Sequence, residues 1–190
     1  MPSNEIPEYE KNHWQVIGSR EVYRNPWLRV REDQVIRPDK KPGIYGVVEF
    51  QNIALGIVPV DETGNTILVG QYRYTLGLYS WELPEGGGAL DRDHLDEAKR
   101  ELLEETGVSA TDWVDLGEFH LSNSVTNECG RVFLARGLTF GESEPDGDEV
   151  LQTRRVPLTE AWEMCLDGRI TDGVTIIGIA RAVEWLRRNG

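Results

Sequence analysis

The stretch Gly86-Gly87-Gly88-Ala89-Leu90-Asp91-Arg92-Asp93-His94-Leu95-Asp96-Glu97-Ala98-Lys99-Arg100-Glu101-Leu102-Leu103-Glu104-Glu105-Thr106-Gly107-Val108 sets a glycine run directly before an acidic segment. Leu95, Ala98 and Leu102 recur at i, i+3 and i+7, which is one apolar stripe of a helix over Leu95 to Thr106. Asp91 or Asp93 can cap its start, and Gly107 stands where a helix stop favours positive φ. On that helix Glu101, Glu104 and Glu105 fall at i, i+3 and i+4, with Glu97 one turn earlier, so their carboxylates share a ridge. Like charges so placed repel by about 0.2–0.5 kcal/mol per pair. Arg100 lies four residues before Glu104, within reach to hold it.

A Glu-rich helix face is often simply solvated. The alternative is a hard-cation site, because Mg²⁺ and Mn²⁺ take oxygen ligands from a few carboxylates and leave the remaining positions to water and phosphate. A flexible glycine loop ahead of the helix would bring backbone close to a bound phosphate or metal. The two features together favour the metal site.

Outward from this stretch the chain alternates strand-like runs with turns. Trp14 to Tyr23 and Trp27 to Ile36 read as strands, Arg37 to Gly43 as a turn, and Ile44 to Glu49 as a third strand. Ala54 to Val60 and Thr66 to Tyr72, joined by Asp61-Glu62-Thr63-Gly64-Asn65, read as a hairpin with a buried face. Val114 to Leu121 and Gly130 to Leu138 are strand-like. Leu158 to Asp167 and Asp172 to Arg188 are helical, the latter carrying Ile176, Ile177, Ile179, Ala180, Val183 and Leu186. The sum is a mixed α/β sandwich without internal repeats.

The 190 residues, 39% hydrophobic, suffice for one domain with a core, which rules out wholesale disorder. Thirty-three acids against 20 bases give a net charge of −13. Such a field argues against nucleic-acid and anionic-membrane partners. Cys129 and Cys165 lie far apart in sequence, as expected of reduced thiols in a cytoplasmic protein. The acidic Met1-Pro2-Ser3-Asn4-Glu5 start does not read as a signal peptide, and no apolar run approaches a membrane span. His94 and His120 are isolated and attract no chemistry.

The long, spaced signature resembles the Nudix hydrolase box, which reads Gly, five residues, Glu, seven residues, Arg-Glu-aliphatic-x-Glu-Glu-x-Gly-aliphatic. Gly86, Arg100, Glu101, Leu102, Glu104, Glu105, Gly107 and Val108 are in register, whereas Arg92 stands where the box carries its first Glu. Gly70-Gln71-Tyr72-Arg73, Trp81-Glu82-Leu83-Pro84-Glu85-Gly86-Gly87, Leu121-Ser122-Asn123 with Glu128, Phe133-Leu134-Ala135-Arg136 and Asp167 to Ile177 are similar to the ADP-ribose pyrophosphatase and nucleoside diphosphate sugar hydrolase branch. The Ser-Gln-Pro-Trp-Pro-Phe-Pro array of the NADH-cleaving members is missing. The resemblance implies a Nudix-type α/β/α sandwich with a mixed sheet. It divides the chain into a tail (1–12), an N-terminal antiparallel β-extension used in dimerisation (13–50) and a Nudix domain (51–190).

It further implies a pyrophosphohydrolase using Mg²⁺, with Mn²⁺ as substitute, on a nucleoside diphosphate sugar. ADP-ribose would give AMP and ribose 5-phosphate. GDP-mannose is the alternative substrate, and a catalytically silent nucleotide-binding or protein-interaction module the alternative class. Glu101 and Glu105 are implied as direct metal ligands, Glu104 as a direct or water-mediated one, and the Glu85 carbonyl as completing the shell. Arg100 would orient a Glu. The base is expected on the acidic loop Gly141 to Val150, as Glu149 ahead of Glu144 and Asp148. Arg73 would grip the diphosphate, and Gly87 lies in the run that approaches it. Glu82 and Glu128 would contact metal, water or ribose. Tyr23 and Trp27 would stack on the nucleobase from the partner subunit of a homodimer.

Overall fold

The computed structural model describes residues 6–143 and 150–189, which divide into two compact units. The first holds residues 6–51 and Ser122–Asn127. A single 3₁₀ turn, Glu8–Glu10, precedes three strands: β1 (Gln15–Arg24), β2 (Leu28–Ile36) and β3 (Pro42–Phe50), paired antiparallel in that order. Asn25 makes the first bend, its Oδ1 accepting from the N–H groups of Trp27 and Leu28 at 2.9 and 2.8 Å. The second bend places Lys40 at φ 66°, with its N–H donating to the Arg37 carbonyl. Ser122–Asn127 is stitched on through Val48 N–H to the Val125 carbonyl and the Tyr45 hydroxyl to the Ser124 carbonyl, 2.9 and 2.7 Å.

The second unit contains Asn52–Leu121 and residues 128–189. Its mixed sheet runs β7 (Glu85–Ala89), β4 (Asn52–Pro59), β9 (Cys129–Phe140), β8 (Val108–His120), with β4 and β9 parallel. A second sheet orders β10 (Gln152–Pro157), β5 (Asn65–Arg73) and β6 (Leu78–Glu82), all antiparallel. The helices are α1 (His94–Thr106), α2 (Leu158–Leu166) and α3 (Gly173–Asn189).

Strand alternation sorts the core into two layers. Ile53, Leu55 and Ile57 of β4, with Phe133 and Ala135 of β9, pack on Ala98 and Leu102 of α1. Val58 and Leu134, from the opposite faces of the same strands, pack on Leu158, Ala161, Met164, Ile179 and Ala182 of α2 and α3. Each fully buried aliphatic side chain contributes about 1.5–3 kcal/mol relative to exposure. The result is the expected α/β/α sandwich.

Two local expectations are corrected. The runs around Asp61 do not form a hairpin within one sheet. β4 is already paired on both edges, with β7 and β9, so β5 pairs instead with β6 and β10, and the isolated Val60–Thr66 bridge is the ladder pairing left between the two runs among the described residues. The glycine run is not a loop either: Gly86, Gly87 and Gly88 lie within β7, opposite Leu55, Ala54 and Ile53. Their missing side chains leave room for neighbours, since a Cβ on Gly88 would fall 2.7 Å from Leu55.

Candidate active site

Helix α1 begins at Asp93, whose carboxylate accepts from the N–H groups of Leu95 and Asp96 at 2.9 and 3.1 Å. It ends at Gly107, φ 69°, whose N–H donates to the Leu103 carbonyl. Ala98 and Leu102 anchor one side of the helix in the core, and this fixes the rotation that presents the ridge. Glu105 is nearly buried and accepts the Glu85 backbone N–H at 3.0 Å, joining α1 to the first residue of β7. The Glu101 carboxylate fills the space a Cβ on Gly86 would occupy. Arg100 donates to Glu97 at 3.2 Å, to Glu101 at 2.5 Å, and to Glu104. Although burial disfavours its charge, Glu101, Glu97 and Glu104 hold the Arg100 guanidinium firmly protonated.

A second acidic group adjoins the start of β7. Glu82, Glu85 and Asp172 place carboxylate oxygens within 4.8 Å of one another. Arg73, at the end of β5, grips Glu82 through Nε and Nη2 at 2.9 and 2.6 Å and also pairs with Glu85. Asp172 is held at the start of α3 by the Thr175 N–H at 2.7 Å, while the Thr175 hydroxyl accepts from the Leu83 N–H at 2.9 Å. Burial, then the charges of Asp172 and Glu82, push the Glu85 carboxyl well above the usual carboxylate range despite Arg73. Its Oε2 is buried without a hydrogen-bond partner. Oxygen-only donors, an orphaned buried carboxylate oxygen and a strand whose glycine makes room for a carboxylate together fit a hard divalent cation.

Gly87 sits mid-strand, where a Cβ would stand 3.2 Å from the Asn52 amide. Glu128 immediately precedes β9, and burial raises its carboxyl. Tyr23 in β1 and Trp27 between β1 and β2 are exposed residues of the first unit. Glu149, with Glu144 and Asp148, lies outside the described residues. Sequence reasoning overlooked Asp172 and the Glu85 side chain. The Asp172–Gly173 pair reads as an ordinary helix start, and nothing in the local sequence places it beside Glu82.

Comparison with known proteins supplies the deciding observation: a profile of the NUDIX domain matches residues 51–175. The chain belongs to the Nudix family. A profile of the nucleoside diphosphate sugar hydrolase N-terminal domain matches residues 14–48, and the chain is a Nudix enzyme of that type. It is 34% identical over 173 residues to an ADP-ribose pyrophosphatase of Mycobacterium tuberculosis strain H37Rv, covering 89% of this chain and 83% of that protein. A Bacillus subtilis ADP-ribose pyrophosphatase is 27% identical over 173 residues, with 90% and 91% covered. A crystal structure of an ADP compounds hydrolase superposes with a TM-score of 0.84 at 21% identity over 93% of this chain and 96% of that one, which speaks to the fold.

Nudix enzymes are typically divalent-metal dependent, and the Glu82, Glu85 and Asp172 cluster of this Nudix chain offers suitable donors. Among the described residues no helix is long and apolar enough to cross a membrane.

Proposed function

We propose that this Nudix enzyme hydrolyses the pyrophosphate of ADP-ribose to AMP and ribose 5-phosphate with Mg²⁺, for which Mn²⁺ can substitute. The observation that carries the reading is the convergence of α1 on β7. Glu105 takes the Glu85 N–H and Glu101 fills the space above Gly86, so two carboxylates and the Glu85 backbone meet at one place. In this reading Glu101, Glu105 and the Glu85 carbonyl hold the metal, with Glu104 as a further ligand. When bound, the metal neutralises charge on the pyrophosphate and favours attack by water on phosphorus.

The chain's own groups then divide the remaining work. Arg100 orients the ridge carboxylates it already touches. Arg73, half-buried and anchored on Glu82, presents its guanidinium edge to the diphosphate. Gly87 lets the β7 backbone approach that diphosphate, and Glu82 and Glu128 contact metal, water or ribose. Glu149, directly before the strand-like run Val150 to Val156 in the sequence, accepts the proton of the attacking water. Residues 13–50 pair two copies of the chain, and Tyr23 and Trp27 stack on the nucleobase. The site of action is the cytoplasm.

The test is a panel of ADP-ribose, GDP-mannose and other nucleoside diphosphate sugars with Mg²⁺ and product identification. AMP and ribose 5-phosphate formed faster than any other product pair supports the proposal. A higher kcat/KM for GDP-mannose overturns the substrate, and no turnover of any member overturns the activity.

A further inference from the structure

Arg92 occupies the box position that should carry a carboxylate, and the structure shows where a carboxylate stands instead. The Arg92 Nη1 donates to Glu97 Oε1 at 3.1 Å, and the other oxygen of Glu97 accepts from Arg100 Nη2 at 3.2 Å. Arg100 continues the chain to Glu101 and Glu104. Charges therefore alternate along one line: Arg92, Glu97, Arg100, then the two ridge carboxylates. Arg92 is largely exposed, whereas only 11% of the Glu97 side chain is accessible, so Glu97 is the fixed member of the pair. Helical spacing explains the reach, because Glu97 precedes Arg100 by three residues and Arg100 precedes Glu104 by four.

We propose that Glu97 is a positioning residue for the divalent cation, acting through Arg100. A guanidinium beside Glu101 and Glu104 competes with a cation for the same oxygens. A third carboxylate on the far side of Arg100 draws it back along the helix and leaves the Glu101 carboxylate against Gly86 of β7. Arg92 closes the line by holding Glu97 in that rotamer, and so the negative charge absent from position 92 is supplied from position 97. This rests on the metal-holding role proposed for Glu101, Glu104 and Glu105.

The experiment is a titration of Mn²⁺ into the substrate-free enzyme, read by electron paramagnetic resonance, with thermal melts on each variant. Glu97→Ala should raise the Mn²⁺ Kd by roughly 10-fold or more, the scale typical of an outer-sphere partner. Glu97→Gln keeps the shape without the charge, and should weaken binding in the same direction if the alanine variant folds poorly. The double variant Arg92→Ala with Glu97→Ala has the wild-type net charge and should bind as weakly as Glu97→Ala. Wild-type affinity in Glu97→Ala or Glu97→Gln overturns the proposal. Recovery in the double variant also overturns it, because Glu97 would then act through net charge and not through Arg100. Glu101→Gln separates the layers: if it leaves Mn²⁺ binding intact, the metal site itself is misassigned. If Glu101→Gln loses binding while Glu97→Ala keeps it, only the positioning role falls.

Discussion

The backbone N–H of Glu85 donates to the Glu105 carboxylate at 3.0 Å, and this bond ties the first residue of β7 to the last turn of α1. The glycine strand and the acidic helix are adjacent in sequence but need not have been adjacent in space. The bond gives the buried Glu105 carboxylate a partner on the neighbouring strand.

Glu105→Gln keeps an oxygen for the Glu85 N–H and removes the charge. Turnover of the preferred substrate should fall by about 100-fold or more, at least the upper end of what losing an outer-sphere partner costs. The melting midpoint should move by no more than about 4 °C, the equivalent of roughly 1 kcal/mol for a chain of this size. Steady-state kinetics beside a thermal melt checks both, and near-normal turnover would remove Glu105 from the metal shell.

Gly86→Ala places a methyl group where the Glu101 carboxylate lies. Overpacking of this kind costs about 1–3 kcal/mol. The expected outcome is a lower urea midpoint with unchanged m-value, together with weaker Mn²⁺ binding because Glu101 must move. An unchanged affinity would mean Glu101 does not need its present position.

Asp61 should govern part of the acid stability. Burial would raise its pKa, but hydrogen bonds from Thr63, Asn65 and Arg155 outweigh it and hold the carboxyl at about 2. Because the folded pKa lies below the unfolded value, the stabilisation is complete above pH ~4 and is lost as pH falls toward ~2. Asp61→Asn should cost up to about 2 kcal/mol at pH 7 and progressively less below pH ~4. Denaturant melts of both proteins across that range test the convergence, and a pH-independent difference would contradict it.

Trp27→Ala tests the proposed nucleobase contact. Stacking on an aromatic ring is worth about 1–3 kcal/mol, so KM for ADP-ribose should rise about 10-fold with kcat little changed. The same variant should leave KM for a substrate lacking the base almost unaltered. Equal losses on both substrates would point to packing and not stacking.

Much of the site was legible from residue order because it is built within one helix and the strand before it. The 3.6-residue period alone sets Glu101, Glu104 and Glu105 on one ridge with Arg100 beside them, and caps at Asp93 and Gly107 bound the helix. The hairpin reading of the runs flanking Asp61 failed because a continuous apolar run reports that a strand is buried, not which strand it pairs with. Pairing on both edges of β4, with β7 and β9, decided that.

The sequence by itself determined the α/β class, the acidic helix and the family signature, since these follow from local periodicity and spacing. Tertiary structure alone decided that the glycine run is a strand, that Asp172 joins Glu82 and Glu85, and that Glu97 links Arg92 to Arg100. Asp172 reaches its partners only because α3 packs over Leu83, with Thr175 bonded to the Leu83 backbone. Contacts of that kind depend on which core faces meet, and residue order does not encode them at short range.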